Sequence, residues 1–152
     1  MHVSALAALK VICLAGLACG VLDLLASTTL FALKGIPFVR LLQGIASGAL
    51  GPSALSGGKK SAVVGLFFHF FIAFSVSAAY FLTSRHVALL LKDAAVSGML
   101  YGAGVHLFMT FVVVPASAAA KRQFSLRGFL AQLLVHMFLV GLPISLIVLR
   151  FS

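Results

Sequence analysis

Residues 5–33 read ALAALKVICLAGLACGVLDLLASTTLFAL. The run carries two charges, Lys10 near its start and Asp23 deep inside. About 29 residues wound as an α-helix reach ~43 Å, more than the ~30 Å hydrocarbon core of a bilayer. A helix on a soluble protein has one apolar stripe and one polar face, whereas this stretch is apolar all round. It therefore predicts a transmembrane helix, tilted or with its first turn in the interface, and with Lys10 reaching back to the headgroups. The apolar run continues past Cys19, and Gly16 stands where a lipoprotein signal carries leucine. The helix is thus expected to be retained as a signal anchor.

The same reading applies to 62–83, 94–114 and 128–149, each long and almost free of charge. Only 9% of the chain is charged and 62% is hydrophobic, against roughly a quarter charged in a soluble domain. The prediction is an all-α polytopic membrane protein, a four-helix bundle forming one transmembrane domain over 1–152. Little chain is left for a soluble catalytic domain, so any chemistry has to sit inside the bundle or at its surface.

Between the first two windows lies a connection too long for a turn. Within it Phe38, Leu41, Leu42, Ile45, Ala46 and Ala49 recur at helical spacing, with Arg40, Gln43, Gly44, Ser47 and Gly48 opposite. The segment Phe38–Leu50 is predicted to be a short amphipathic helix, interfacial or re-entrant, ended by Gly51-Pro52. The other two connections are short and make sequential spans antiparallel neighbours. Pro115 is expected to end the third span and Pro143 to kink the fourth. Gly16 with Gly20, and Gly98 with Gly102, repeat the small-xxx-small spacing of close helix approach.

The formal net charge of +9 does not imply nucleic acid, because the basic residues flank apolar windows and form no separate basic helix. Anionic phospholipid headgroups are the partners expected for them. The first and third connections hold Lys34, Arg40, Lys59, Lys60, Lys121, Arg122 and Arg127, seven of the eleven Lys and Arg. The positive-inside rule then leans to a cytoplasmic face for these connections. Cys13 and Cys19 lie on different faces of one helix, and the absence of a CxxC argues against disulfide exchange.

Ionisable groups inside spans are costly and mark candidate sites. Each span has one: Asp23, His69, His106 and His136. Counted from the face of the first and third connections, their depths are ~15, ~10, ~12 and ~12 Å at 1.5 Å per residue. They fall in one layer. Small or polar helical neighbours turn each inward, among them Ser27 beside Asp23, Met109 and Thr110 beside His106, and Gln132 beside His136. Three histidines and a carboxylate suit a transition metal, a pair of histidines suits a haem, and the set suits a proton relay. Interhelical hydrogen bonding without a ligand accounts for the same residues. No HExxH or paired-cysteine motif and no base-activated nucleophile is legible.

Phe67, Phe68, Phe70 and Phe71 surround His69 and are expected to face lipid or core, with a lipid or quinone pocket as the alternative. Tyr80 and Tyr101 are expected as interface anchors on the side away from the layer, Tyr101 with the alternative of reaching the interior. His2 and His86 are expected in solvent.

The segments LLQGIASGAL (41–50), HFFIA (69–73), VVVPASA (112–118) and HMFLVGLPI (136–144) resemble small uncharacterised four-span proteins of the bacterial inner membrane. The resemblance implies that membrane and brings no activity with it. Three functional classes stay open: a membrane protein binding a metal ion, haem or proton-coupled substrate in the Asp/His layer; an accessory or scaffold subunit of a larger membrane complex, or a homo-oligomer; and a lipid-modifying membrane enzyme.

Overall fold

The computed structural model describes residues 4–119 and 123–151; His2, Lys121 and Arg122 lie outside them. Four helices are long and apolar enough to cross a membrane: Ala5–Ala32, Gly58–Ser84, Ala94–Ala116 and Leu126–Arg150. They are called the first to fourth spans. Leu6, Leu25, Phe67, Phe71, Leu100, Phe111 and Leu134 are among the large apolar side chains left exposed on their outer faces. In water that surface would be untenable. The chain is a multi-pass membrane protein.

Helix ends follow local chemistry more than hydropathy. The Ser4 hydroxyl accepts from the Ala7 amide, the Asp93 carboxylate from Val96 and the Ser125 hydroxyl from Gly128, so three spans begin at side-chain caps. The second span begins four residues before its apolar window, just after a 3₁₀ turn over Pro52–Ser56. There the Ser61 hydroxyl donates to the Ala54 carbonyl at 2.7 Å. Gly58, with φ of 61°, makes the bend into the helix.

The helix Phe38–Leu50 forms where expected, but its apolar stripe is divided. Leu41, Leu42 and Ala46 are buried with Gln43 and Ser47, while Phe38, Val39 and Leu50 stay exposed. One side is seated on the second span, where Gly65 lets the Leu42 backbone carbonyl approach so closely that a Cβ would collide with it. Gln43 Nε2 donates to the Gly58 carbonyl at 3.1 Å. The Ala118 amide donates to the Gly48 carbonyl at 2.9 Å, tying the third connection to the first on one face.

The first span is central and packs against the second and the fourth; the third packs chiefly against the fourth. Gly16 and Gly20 receive Phe74 and Phe70 from the second span. The third and fourth spans meet backbone to backbone, with Gly98 and Gly102 against Gly141 and the His136 carbonyl. The core is built from Val11, Ala15, Cys19, Ala73, Tyr80, Phe81, Val140, Ile144 and Val148.

Pro143 does more than kink the fourth span. The stretch His136–Gly141 winds as a wider π turn, with the Leu142 amide donating five residues back to Met137. Met109–Val113 in the third span does the same, with Val114 donating to Met109. Each wide turn ends two residues before a proline. A proline ring crowds the carbonyl four residues earlier and offers no N–H, and a π turn re-satisfies the backbone around that gap. The third span runs through Pro115 to Ala116.

Candidate functional site

Ser27 and Gln132 set the register of the first and fourth spans. Gln132 Nε2 donates to the Ser27 hydroxyl at 3.2 Å across the helix pair. In an antiparallel pair, one helical turn onward from each lie Asp23 and His136, which therefore come to the same level. Gly20, one turn from Asp23 within the same helix, offers its carbonyl to His69 Nε2 at 2.8 Å. The close approach at Gly102 sets His106, one turn further along, beside His136. The local sequence thus accounts for all four placements.

The fold brings these groups together as two pairs. In the first, His69 Nδ1 stands 3.9 Å from Asp23 Oδ2. Because Nε2 faces a carbonyl, it carries the ring hydrogen. Nδ1 and Oδ2 then face each other just beyond hydrogen-bond range. In the second pair, the rings of His106 and His136 lie 4.9 Å apart between centroids, inclined by 50°. Phe129 packs on His106 at the same centroid distance. His136 Nδ1 donates to the Gln132 carbonyl at 2.8 Å, which leaves Nε2 as the lone-pair nitrogen of a neutral ring.

Two buried polar atoms in this layer have no hydrogen-bond partner among the described residues, Asp23 Oδ1 and His106 Nε2. His106 is only 5% exposed. Unpartnered buried groups are uncommon and call for a reason.

Among the described residues, no three His, Cys, Asp or Glu side chains group as metal ligands. The donors available to a cation are therefore the pairs Asp23 with His69 and His106 with His136. The contact between the rings of His106 and His136 leaves no gap in which a macrocycle could be held from both sides.

Of the surrounding residues, Ser27 and Gln132 bond to each other. Met109 and Thr110 lie in the π turn of the third span, and Met109 lines an apolar cleft of about 420 Å³ between the second and third spans. Phe67 and Phe71 face outward, while Phe70 and Phe74 fill the space against Gly20 and Gly16. His86 is exposed.

Tyr80 departs from the expectation of an interface anchor, and Tyr101 takes the alternative of the interior. Tyr80 is fully buried, its hydroxyl donating to the Leu90 carbonyl at 3.0 Å and lying 3.1 Å from the Ser97 hydroxyl. Tyr101 turns inward and donates to the Val76 carbonyl at 2.7 Å. Cys19 and Ser77, buried with Sγ and Oγ 3.6 Å apart, complete a polar set beneath the layer that residue type alone does not single out. The signal that could have found it is spacing: Cys19, Ser77, Tyr80 and Ser97 lie one to two turns from small or buried helix-contact positions.

No protein-family model, curated protein or solved structure matches the chain.

Proposed function

We propose that this is a small protein of the bacterial inner membrane whose buried layer of Asp23, His69, His106 and His136 takes up and releases protons. In this reading, the transported or bound species coupled to the layer is proton-linked. One observation carries it: Asp23 Oδ1 and His106 Nε2, one on each pair, are both buried without a partner in the same layer. Hydrogen-bonded packing alone would have satisfied them, since an unpaired buried polar atom costs ~1–3 kcal/mol. A site that gains and loses a proton needs acceptor and donor capacity beyond what either state uses. The Asp23–His69 geometry supports the same reading, because it sets a carboxylate oxygen opposite the second nitrogen of an imidazole.

Proton binding is preferred to a metal or a haem, because the four donors divide into pairs. Both π turns adjoin the histidine pair, one beginning at His136 and the other three residues after His106. Such turns recur at functional sites and give a helix room to shift register locally. The basic residues of the first and third connections, Lys34, Arg40, Lys59, Lys60 and Arg127, would meet anionic headgroups on the cytoplasmic face.

The test is nitrogen-15 NMR of the imidazole side chains in lipid nanodiscs across pH, for the natural protein and Asp23→Asn. At least one layer histidine should change protonation reversibly, and Asp23→Asn should alter the response of His69 and of His106. Imidazoles locked in one state at every pH at which the protein stays folded would overturn the reading.

A further inference from the structure

The layer lies nearer one face, and a few polar side chains are set within the apolar core on the other side of it. One turn from Asp23 towards the second connection is Cys19, 1% exposed, with Sγ 3.6 Å from Ser77 Oγ, itself fully buried. The residue preceding Ser77 is Val76, whose carbonyl accepts from the Tyr101 hydroxyl at 2.7 Å. The Tyr101 ring stands edge-on to Tyr80, centroids 5.0 Å apart. The Tyr80 hydroxyl lies 3.1 Å from Ser97 Oγ, and Ser97 Oγ lies 2.8 Å from the Asp93 carbonyl. Asp93 is exposed at the end of the second connection.

Three of the four spans contribute to this column. The chain has two acidic side chains: Asp23 stands at one end of the column, and Asp93 meets the other through its backbone carbonyl while its carboxylate caps Val96. The hydroxyls of the buried Ser84 and Ser145 bond within their own helix, to the carbonyl three residues before. Those of Tyr80, Tyr101 and Ser77 instead reach to other helices.

We propose that Cys19, Ser77, Tyr101, Tyr80 and Ser97 form the route by which protons pass between the Asp23/His layer and the face of the second connection. The inference rests on the proton-binding reading of the layer. A hydroxyl or thiol relays a proton by accepting one on a lone pair and giving its own to the next acceptor, so each group is unchanged after a transfer and its reorientation. Where consecutive groups stand beyond direct hydrogen-bond range, a single bridging water completes the step. The groups facing the route from the packed elements are Asp23, His69, His106 and His136 at one end and Asp93 at the other. Beyond the layer, the Ser27–Gln132 pair is the polar contact towards the face of the first and third connections.

The test uses the whole protein reconstituted in phosphatidylcholine–phosphatidylglycerol vesicles enclosing a pH-sensitive dye, with a potassium diffusion potential as the driving force. Proton flux should exceed that of protein-free vesicles. Tyr101→Phe and Ser77→Ala should each lower it at least tenfold, while the imidazole NMR response to pH in nanodiscs matches the natural protein. Ser77→Ala keeps the test open should Tyr101→Phe fail to fold. Flux no greater than in protein-free vesicles, or natural flux in both variants, overturns the route and leaves the layer standing if its histidines still respond to Asp23→Asn. Histidines that do not titrate remove the layer itself, and the route with it.

Discussion

His106 and His136 lie ring against ring, 4.9 Å between centroids, because Gly102 lets the third span approach the carbonyl of His136 without a side chain between them. The histidine contact is thus a consequence of a backbone contact one turn away. Gly102→Ala should force the helices apart and destabilise the protein by ~1–3 kcal/mol, the usual penalty of overpacking a tight interface. Gly104→Ala, two residues on and with nothing near its would-be Cβ, should change stability by less than ~0.5 kcal/mol. Thermal unfolding in detergent distinguishes them. Equal stability of the two variants would mean that the approach at Gly102 is looser than described.

Asp23 and His69 should behave as a unit. A double-mutant cycle with Asp23→Asn and His69→Gln should give a coupling energy of ~1 kcal/mol or more, within the range for residues sharing one network. The control pair, Asp23→Asn with His86→Gln, should be additive, since His86 is exposed outside the span. Additivity in both cycles would separate Asp23 from His69.

Tyr80→Phe removes a hydroxyl that bonds to Leu90 and approaches Ser97 in a fully buried setting. The Leu90 carbonyl keeps the Ser97 hydroxyl at 2.7 Å, so the loss is that of one hydrogen bond, ~0.5–1.5 kcal/mol of stability. The loss should be accompanied by faster amide hydrogen exchange at residues 88–92, whose short helix Leu89–Lys92 the tyrosine holds against the bundle. Unchanged exchange there would show that the short helix is held by other contacts.

The four spans and the helix Phe38–Leu50 were legible because bilayer thickness and helical periodicity act on sequence directly. One ionisable group per span was legible as a candidate layer, since rise per residue converts position into depth. Its division into two pairs was not. Which neighbour His69 meets depends on rotation about the helix axis, and that is set by glycine contacts such as Gly20 with Phe70 and Gly102 with His136. Tyr80 was misread for a related reason. Tyrosine near a span end is ordinarily an anchor, but the carbonyl that captures this one belongs to Leu90, presented by the second connection. The π turns were half legible: proline marked a disturbance, and its form depended on the third and fourth spans packing backbone to backbone.

The amphipathic helix provides the last prediction. Its two sides meet different surroundings: Leu42 and Ala46 are buried in the protein, Phe38 and Leu50 exposed, and Arg40 turned so that its guanidinium donates to the Leu55 carbonyl in the same connection. If the exposed apolar residues meet lipid, spin labels at 38 and 50 should be accessible to oxygen, which concentrates in the bilayer. A label at 40 should instead be accessible to a water-soluble nickel chelate. Gly65→Leu would put a side chain where the Leu42 carbonyl now lies and should lift the helix from the second span. Labels at 42 and 46 would then gain mobility, while those at 38 and 50 keep their oxygen accessibility. Nickel access at all four positions in the natural protein would mean that the helix lies in water, and the interfacial placement would fail.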